Sequence, residues 1–259
     1  MTFSEFGGDF LYLYYLFALF AAVLLLNCTA EKSAAPEQVN KRVAALIRVR
    51  PEFEERYIIL HKHTFAGVLA QIHKANIRNY SIFLRDGMLF SYLEYVGENY
   101  EKDMAGIGED QTTREWWKLT DPMQEPLSTR KDGEWWAGME EIYFEQSAAK
   151  PQNNAARAAY VVQVPPQNLT AYQDLFQTVP ADMRDILKEY HLQKIAVYYK
   201  DGRAYYYFEG AGPDSNSLNK FFADSRVQEF LQQTKSLEEK GSADGEEWLA
   251  GMKEVFHTD

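Results

Sequence analysis

Tyr57 and His61 are the residues best equipped for chemistry. They stand four apart in Pro51 to Ile72, PEFEERYIILHKHTFAGVLAQI, which stacks them on one side of a helix. Pro51 can open that helix at its first turn, where a missing N–H costs nothing. Apolar or aromatic side chains recur with the spacing of one helical face, at Phe53, Tyr57, Leu60, Phe65, Val68, Leu69 and Ile72, and His61 falls within that face. An imidazole can carry a proton near neutral pH, and a phenol can donate or accept a hydrogen bond. A satisfied, half-buried histidine is the ordinary account of such a pair. What lies downstream shifts the balance.

The elements that position the pair come in duplicate. Shifting the first half by 115 positions brings Arg42 onto Arg157, Val49 onto Val164, Pro51 onto Pro166 and Tyr57 onto Tyr172. It also brings Leu60 onto Leu175, Asp86-Gly87 onto Asp201-Gly202 and Glu94 onto Glu209. With a shift of 113, Ala137-Gly138-Met139 meets Ala250-Gly251-Met252. The body is a duplicated unit, covering 41–148 and 149–259. Each copy reads as strand, helix, hairpin, helix, strand. In the first these are Arg42–Val49, Pro51–Lys74, Tyr80–Leu84 with Leu89–Tyr95 about Arg85-Asp86-Gly87, the pieces Asn99–Ile107 and Thr112–Leu119, and Glu140–Glu145. In the second they are Tyr160–Val164, a helix around Leu169–Glu189, Ile195–Tyr199 with Ala204–Glu209, Phe221–Thr234 and Lys253–His257. A β-α-β-β-α-β order is the ferredoxin-like arrangement, α+β with helices on one face of an antiparallel sheet. Its other face must be covered too, and Tyr-rich hairpins such as Tyr205-Tyr206-Tyr207-Phe208 predict that the two sheets face each other as an α/β-barrel pseudo-dimer within one chain. Asp121–Asp132 reads as a loop and Gln146–Ala156 as the inter-repeat linker.

Asn79-Tyr80 opens the strand after the Tyr–His helix, and Trp116-Trp117 sits in Arg114-Glu115-Trp116-Trp117-Lys118. The first unit, from about Val43 to Phe144, resembles the L-rhamnose mutarotase family. The resemblance is carried by Glu54-Glu55-Arg56-Tyr57-x-x-x-His61, Asn79-Tyr80-Ser81-Ile82-Phe83-Leu84 and Arg114-x-Trp116-Trp117-Lys118. It implies that His61 is the proton donor, that Tyr57 shares the catalytic site, and that Tyr57, Tyr80, Trp116 and Trp117 line the sugar. It implies no metal and no cofactor, and a dimer of facing sheets that this chain looks to have fused into one polypeptide. Aromatic rings suit the apolar face and methyl group of a deoxysugar, and Tyr hydroxyls and Asn79 can meet its hydroxyls. Adjacent tryptophans point in different directions, so at most one of Trp116 and Trp117 should stack on the sugar. The second unit departs from the pattern, with Phe176 at the position of His61, Lys194-Ile195 at Asn79-Tyr80 and Phe230-Leu231 at the tryptophans. Only Tyr172 stays, which predicts a structural half and one site per chain.

The expected function is therefore an aldose 1-epimerase acting on L-rhamnose or a similar 6-deoxy sugar, a monomer with an internal pseudo-dimer. A non-catalytic sugar-binding or scaffolding lipoprotein is the alternative, and fold analogy alone adds monooxygenase-type proteins. The chain has 259 residues, 46% hydrophobic, and a net charge of −11 without a basic stripe, which argues against nucleic acid. One cysteine excludes an internal disulfide and multi-cysteine metal sites. That residue, Cys28, follows 17 apolar or aromatic residues, Phe10–Leu26, and Leu25-Leu26-Asn27-Cys28 resembles a bacterial lipoprotein cleavage box. Residues 1–28 are thus expected to be a signal peptide or membrane anchor, with Cys28 lipidated outside the cytoplasm, and 29–40 a tether. Asn27 and the absence of Lys or Arg from the leader depart from that pattern, and a plain transmembrane helix would leave the body in the cytoplasm. His61-x-His63 is not a metal pair, since residues two apart on a helix diverge by about 200°. His63, His73, His191 and His257 read as surface residues. Gly210-Ala211-Gly212 reads as a loop, and Glu140-Glu141 as a solvated face.

Overall fold

A computed structural model describes residues 37–147, 155–210, 216–239 and 250–259. The apolar run, Cys28 and the tether as far as residue 36 lie outside them. So do 148–154 of the linker and part of the Gly210-Ala211-Gly212 loop. Among the described residues no helix is long and apolar enough to cross a membrane.

Each half is built on a tight hairpin. In the first, β2 (Ile77–Arg85) turns into β3 (Met88–Tyr95) through Asp86 and Gly87, at φ +50° and +71°. In the second, β8 (Leu192–Lys200) turns into β9 (Arg203–Gly210) through Asp201 and Gly202, at +50° and +78°. Both central residues are left-handed, the turn whose twist matches paired strands, and Asp-Gly is the dipeptide that tolerates it. The opening strands, β1 (Lys41–Val49) and β7 (Ala156–Gln163), lie antiparallel to β3 and β9 along their whole lengths.

The closing strands tie the halves together. In the first half, β5 (Ala137–Gly138) pairs with its own β1, and one residue later β6 (Glu140–Gln146) pairs with β8 of the other half. In the second, β10 (Ala250–Thr258) pairs with its own β7 through Ala250, Gly251 and Met252, then with β2 of the first half from Lys253 onward. The two facing sheets are therefore one ten-stranded sheet that closes on itself. Matching ion pairs brace both crossings, Arg42–Glu141 at 2.8 Å and Arg157–Glu254 at 3.0 Å.

The helices cover the outside. The long first helix expected from Pro51 to Lys74 is broken into a 3-10 turn at Pro51–Phe53, α1 (Glu54–Lys62) and α2 (Ala66–Lys74). Thr64 Oγ1 donates to the His61 carbonyl at 3.0 Å, and Phe65 is extended at ψ 132°, so the chain bends just after His61. The second half breaks likewise into α5 (Leu169–Phe176) and α6 (Met183–Glu189). The second helical layers are α3 (Tyr100–Glu109) with α4 (Gln111–Thr120), and α7 (Asn216–Ala223) with α8 (Ser225–Lys235). A core lies under each helical layer, and a third fills the barrel, where Phe83, Phe90, Tyr92, Tyr198, Tyr205 and Tyr207 meet.

Candidate functional site

The site lies between the helices of the first half and the outer face of its sheet. On α1 the rings of Tyr57 and His61 stack with centroids 3.8 Å apart. Asp110 caps α4 by accepting from the Thr113 backbone N–H at 2.7 Å, and the helix buries Thr113, Trp116 and Thr120 on one face. That face brings the Trp116 ring edge-on to His61 at 5.3 Å, and Phe65 packs on Trp116 at 5.1 Å. The third wall comes from the other half. Phe256 on β10 stands edge-on to His61 at 5.9 Å and to Tyr80 at 5.3 Å. Tyr57 is wholly buried, Trp116 nearly so, and His61 and Tyr80 are half-buried.

The hydrogen bonds assign the protons. His61 Nδ1 lies 2.9 Å from the Tyr57 carbonyl oxygen. A carbonyl only accepts, so Nδ1 carries the hydrogen and Nε2 keeps its lone pair. Burial among rings lowers the imidazole to about 4, which leaves it neutral at pH 7. Burial, and secondarily the nearby Tyr80, push the Tyr57 phenol well above its ordinary value. Burial raises Tyr80 as well. The site is a neutral base stacked on a protonated phenol.

The remaining candidates lie elsewhere. Asn79 sits at φ +48° in a bulge of β2 and turns into the barrel, where Nδ2 donates to Glu209 at 2.6 Å and the side chain lies 3.1 Å from the Tyr207 hydroxyl. Trp117 faces outward, 38% exposed, and does not join the ring contacts around His61 among the described residues. His63, His73 and His191 are exposed. His257 is not the surface residue expected, because β10 inserts between two strands. It is half-buried, with Nδ1 3.0 Å from Ser81 Oγ and Nε2 3.0 Å from Asp259. That line has the order of a hydrolase triad but not its access, since Ser81 has no exposed surface.

Three residues of the site carry no local signal. Phe256 is brought in by the strand crossing. Gln124, in a stretch read as loop, forms the short strand β4 (Gln124–Glu125) beside β1 and reaches the Tyr57 hydroxyl at 3.4 Å. Trp135 donates its indole N–H to Gln124 Oε1 at 2.8 Å. The repeat pattern could have flagged Phe256, whose counterpart Tyr143 packs on Phe176 at 5.4 Å in the second half. There Phe176, Tyr172, Phe230 and Tyr206 pack against one another in the corresponding space.

Two ferredoxin-like halves closed by exchanged strands define a pseudo-dimeric α/β-barrel protein. Solved structures share this fold. A candidate monooxygenase of Fusobacterium nucleatum superimposes with a TM-score of 0.52 at 10% identity, covering 83% of this chain and 92% of that one. Another, from Lactobacillus acidophilus, does so at 0.52 and 8% identity, covering 85% and 96%. At these identities the likeness is one of fold alone. The profile of the L-rhamnose mutarotase family matches residues 42–144 and again 157–258, one match per half. An L-rhamnose mutarotase of Oceanobacillus iheyensis is 30% identical over 90 residues, which span 34% of this chain and 84% of that protein. The chain belongs to the L-rhamnose mutarotase family.

Proposed function

We propose that the protein is an aldose 1-epimerase that interconverts the α and β anomers of L-rhamnose or a similar 6-deoxy sugar, at one site in its first half. The observation that carries this reading is the tautomer of His61. Nδ1–H is tied to the Tyr57 carbonyl, so Nε2 is an unprotonated base within a cluster of Tyr57, Tyr80, Trp116 and Phe256. Anomer exchange removes the proton from the anomeric hydroxyl while the ring oxygen gains one. The ring opens, C1 rotates, and closure reverses both transfers. His61 takes the first proton and returns it on closure, so it is base and then acid within one cycle. One well-placed acid/base group is worth about 10²–10⁴ in rate. The rings offer apolar faces to the sugar.

The experiment is magnetisation exchange between the α and β anomeric protons of L-rhamnose, with and without residues 29–259. Acceleration is expected, and His61→Ala should return it to the spontaneous rate without unfolding the protein. Binding without acceleration would instead favour a sugar-binding protein. Membrane attachment through Phe10–Leu26 and Cys28 belongs to the same reading. Cys28→Ala should abolish lipid labelling of the full chain, and labelling that persists would remove the lipoprotein assignment.

A further inference from the structure

The Tyr57 hydroxyl ends a chain of three side chains. Trp135 Nε1–H donates to Gln124 Oε1 at 2.8 Å, and Gln124 Nε2 lies 3.4 Å from Tyr57 Oη. An indole N–H can only donate, so it makes Oε1 the acceptor and turns the amide NH₂ toward Tyr57. Tyr57 Oη therefore receives a hydrogen bond, and among the described residues no group accepts its own hydrogen. The second half shows the opposite polarity. Glu125 pairs with Arg48 and Glu239 with Gln163, which makes Gln124 and Glu238 counterparts. Where the first half has an amide donor, the second has a carboxyl group, and Tyr172 donates to Glu238 Oε1 at 3.0 Å. The half that lacks the histidine ties up its tyrosine hydrogen, and the half that has it does not.

Anomer exchange needs two proton carriers at once, and His61 with its bare Nε2 supplies one. We propose that Gln124, held by Trp135, is a positioning residue that keeps the Tyr57 hydroxyl hydrogen available to the ring oxygen of the sugar, making Tyr57 the acid to His61's base. This rests on the mutarotase reading above. In ring opening, His61 Nε2 takes the proton of the anomeric hydroxyl, the C1–O5 bond breaks as C1=O1 forms, and O5 takes the proton from Tyr57 Oη. In closure O5 attacks the other face of C1, returns its proton to the phenolate, and O1 regains its proton from the imidazolium. The two charges formed in between lie on rings 3.8 Å apart, where each offsets the other's burial.

The test compares kcat and KM for L-rhamnose anomer exchange from pH 5 to 8 in the wild-type chain and in Gln124→Glu, which installs the second half's group. At pH 7.5 the variant should lose about a hundredfold in kcat with KM nearly unchanged. Activity should recover as acid gives the new carboxyl a hydrogen to donate. Glu238→Gln, the same exchange reversed in the second half, should change neither constant. A wild-type kcat at pH 7.5 in Gln124→Glu, or a loss identical at every pH, overturns the proposal. If that variant does not fold, Trp135→Phe decides. Trp135 is 44% exposed, so the phenyl ring keeps the fold while removing the N–H. A fall in kcat at constant KM supports the relay, and an unchanged kcat overturns it. A wild-type chain that does not accelerate exchange removes the mutarotase reading and the relay together, whereas an active one with unaffected variants removes the relay alone.

Discussion

His61 is a base because its other nitrogen is already committed. The i, i+4 spacing that pairs it with Tyr57 is legible in the sequence; the 2.9 Å bond that sets its tautomer is not, since it runs to a backbone carbonyl. With a folded value of about 4, below the ordinary 6.5, the base form persists through the physiological range. The exchange rate over the spontaneous background should stay flat from pH 8 to about 5 and fall below about 4. A midpoint near 6.5 would contradict the buried base. Stability follows the same shift. The unfolded chain binds the His61 proton more tightly, so this contribution is complete above pH 6.5 and is lost as pH falls toward 4. Its size is about 3 kcal/mol. His61→Phe, the residue already present at Phe176, should lose catalysis and this slope of stability between pH 6.5 and 4. Urea unfolding at pH 5 and 7.5 would show whether the slope disappears.

At the scale of elements, the site depends on a strand from the far end of the chain. Phe256 reaches His61 and Tyr80 because β10 leaves its own half after Met252 and pairs with β2. Phe256→Ala should therefore cost about 3–5 kcal/mol through the cavity it opens, and raise KM for rhamnose in the half that does not encode it. An unchanged KM in the folded variant would show that the ring only packs. The repeat, its hairpins and the barrel were legible from turn dipeptides, strand alternation and the register of the two copies. The crossing of the closing strands was not, because Glu140–Gln146 and Ala250–Thr258 carry no mark of which sheet they join. Asn79 shows a similar limit. The different directions of Trp116 and Trp117 follow from their adjacency on a helix and were legible, whereas the bulge at Asn79, which turns its side chain into the barrel, was not.

At the scale of the whole molecule, duplication allows what a symmetric dimer cannot have, different residues at equivalent positions about one axis. Glu94 and Glu209 are counterparts, as are Tyr92 and Tyr207, whose rings stack at 4.0 Å inside the barrel. Tyr92 donates to Glu94 at 2.8 Å and Tyr207 to Glu209 at 3.0 Å. The position held by Asn79 in one half is Lys194 in the other. Its ammonium lies 2.6 Å from Glu94 and 3.4 Å from Glu209, between the two buried carboxylates, and Asn79 bonds the second. Removing one partner of a buried ion cluster leaves charge without compensation, at a cost of about 3–5 kcal/mol. Lys194→Met should show that loss. Denaturant midpoints of the variant and the wild-type chain would measure it. A loss below about 1 kcal/mol would mean that the phenols and Asn79 suffice. A large loss would make Lys194 the residue that holds the two halves face to face, and with them the strand that carries Phe256 to His61.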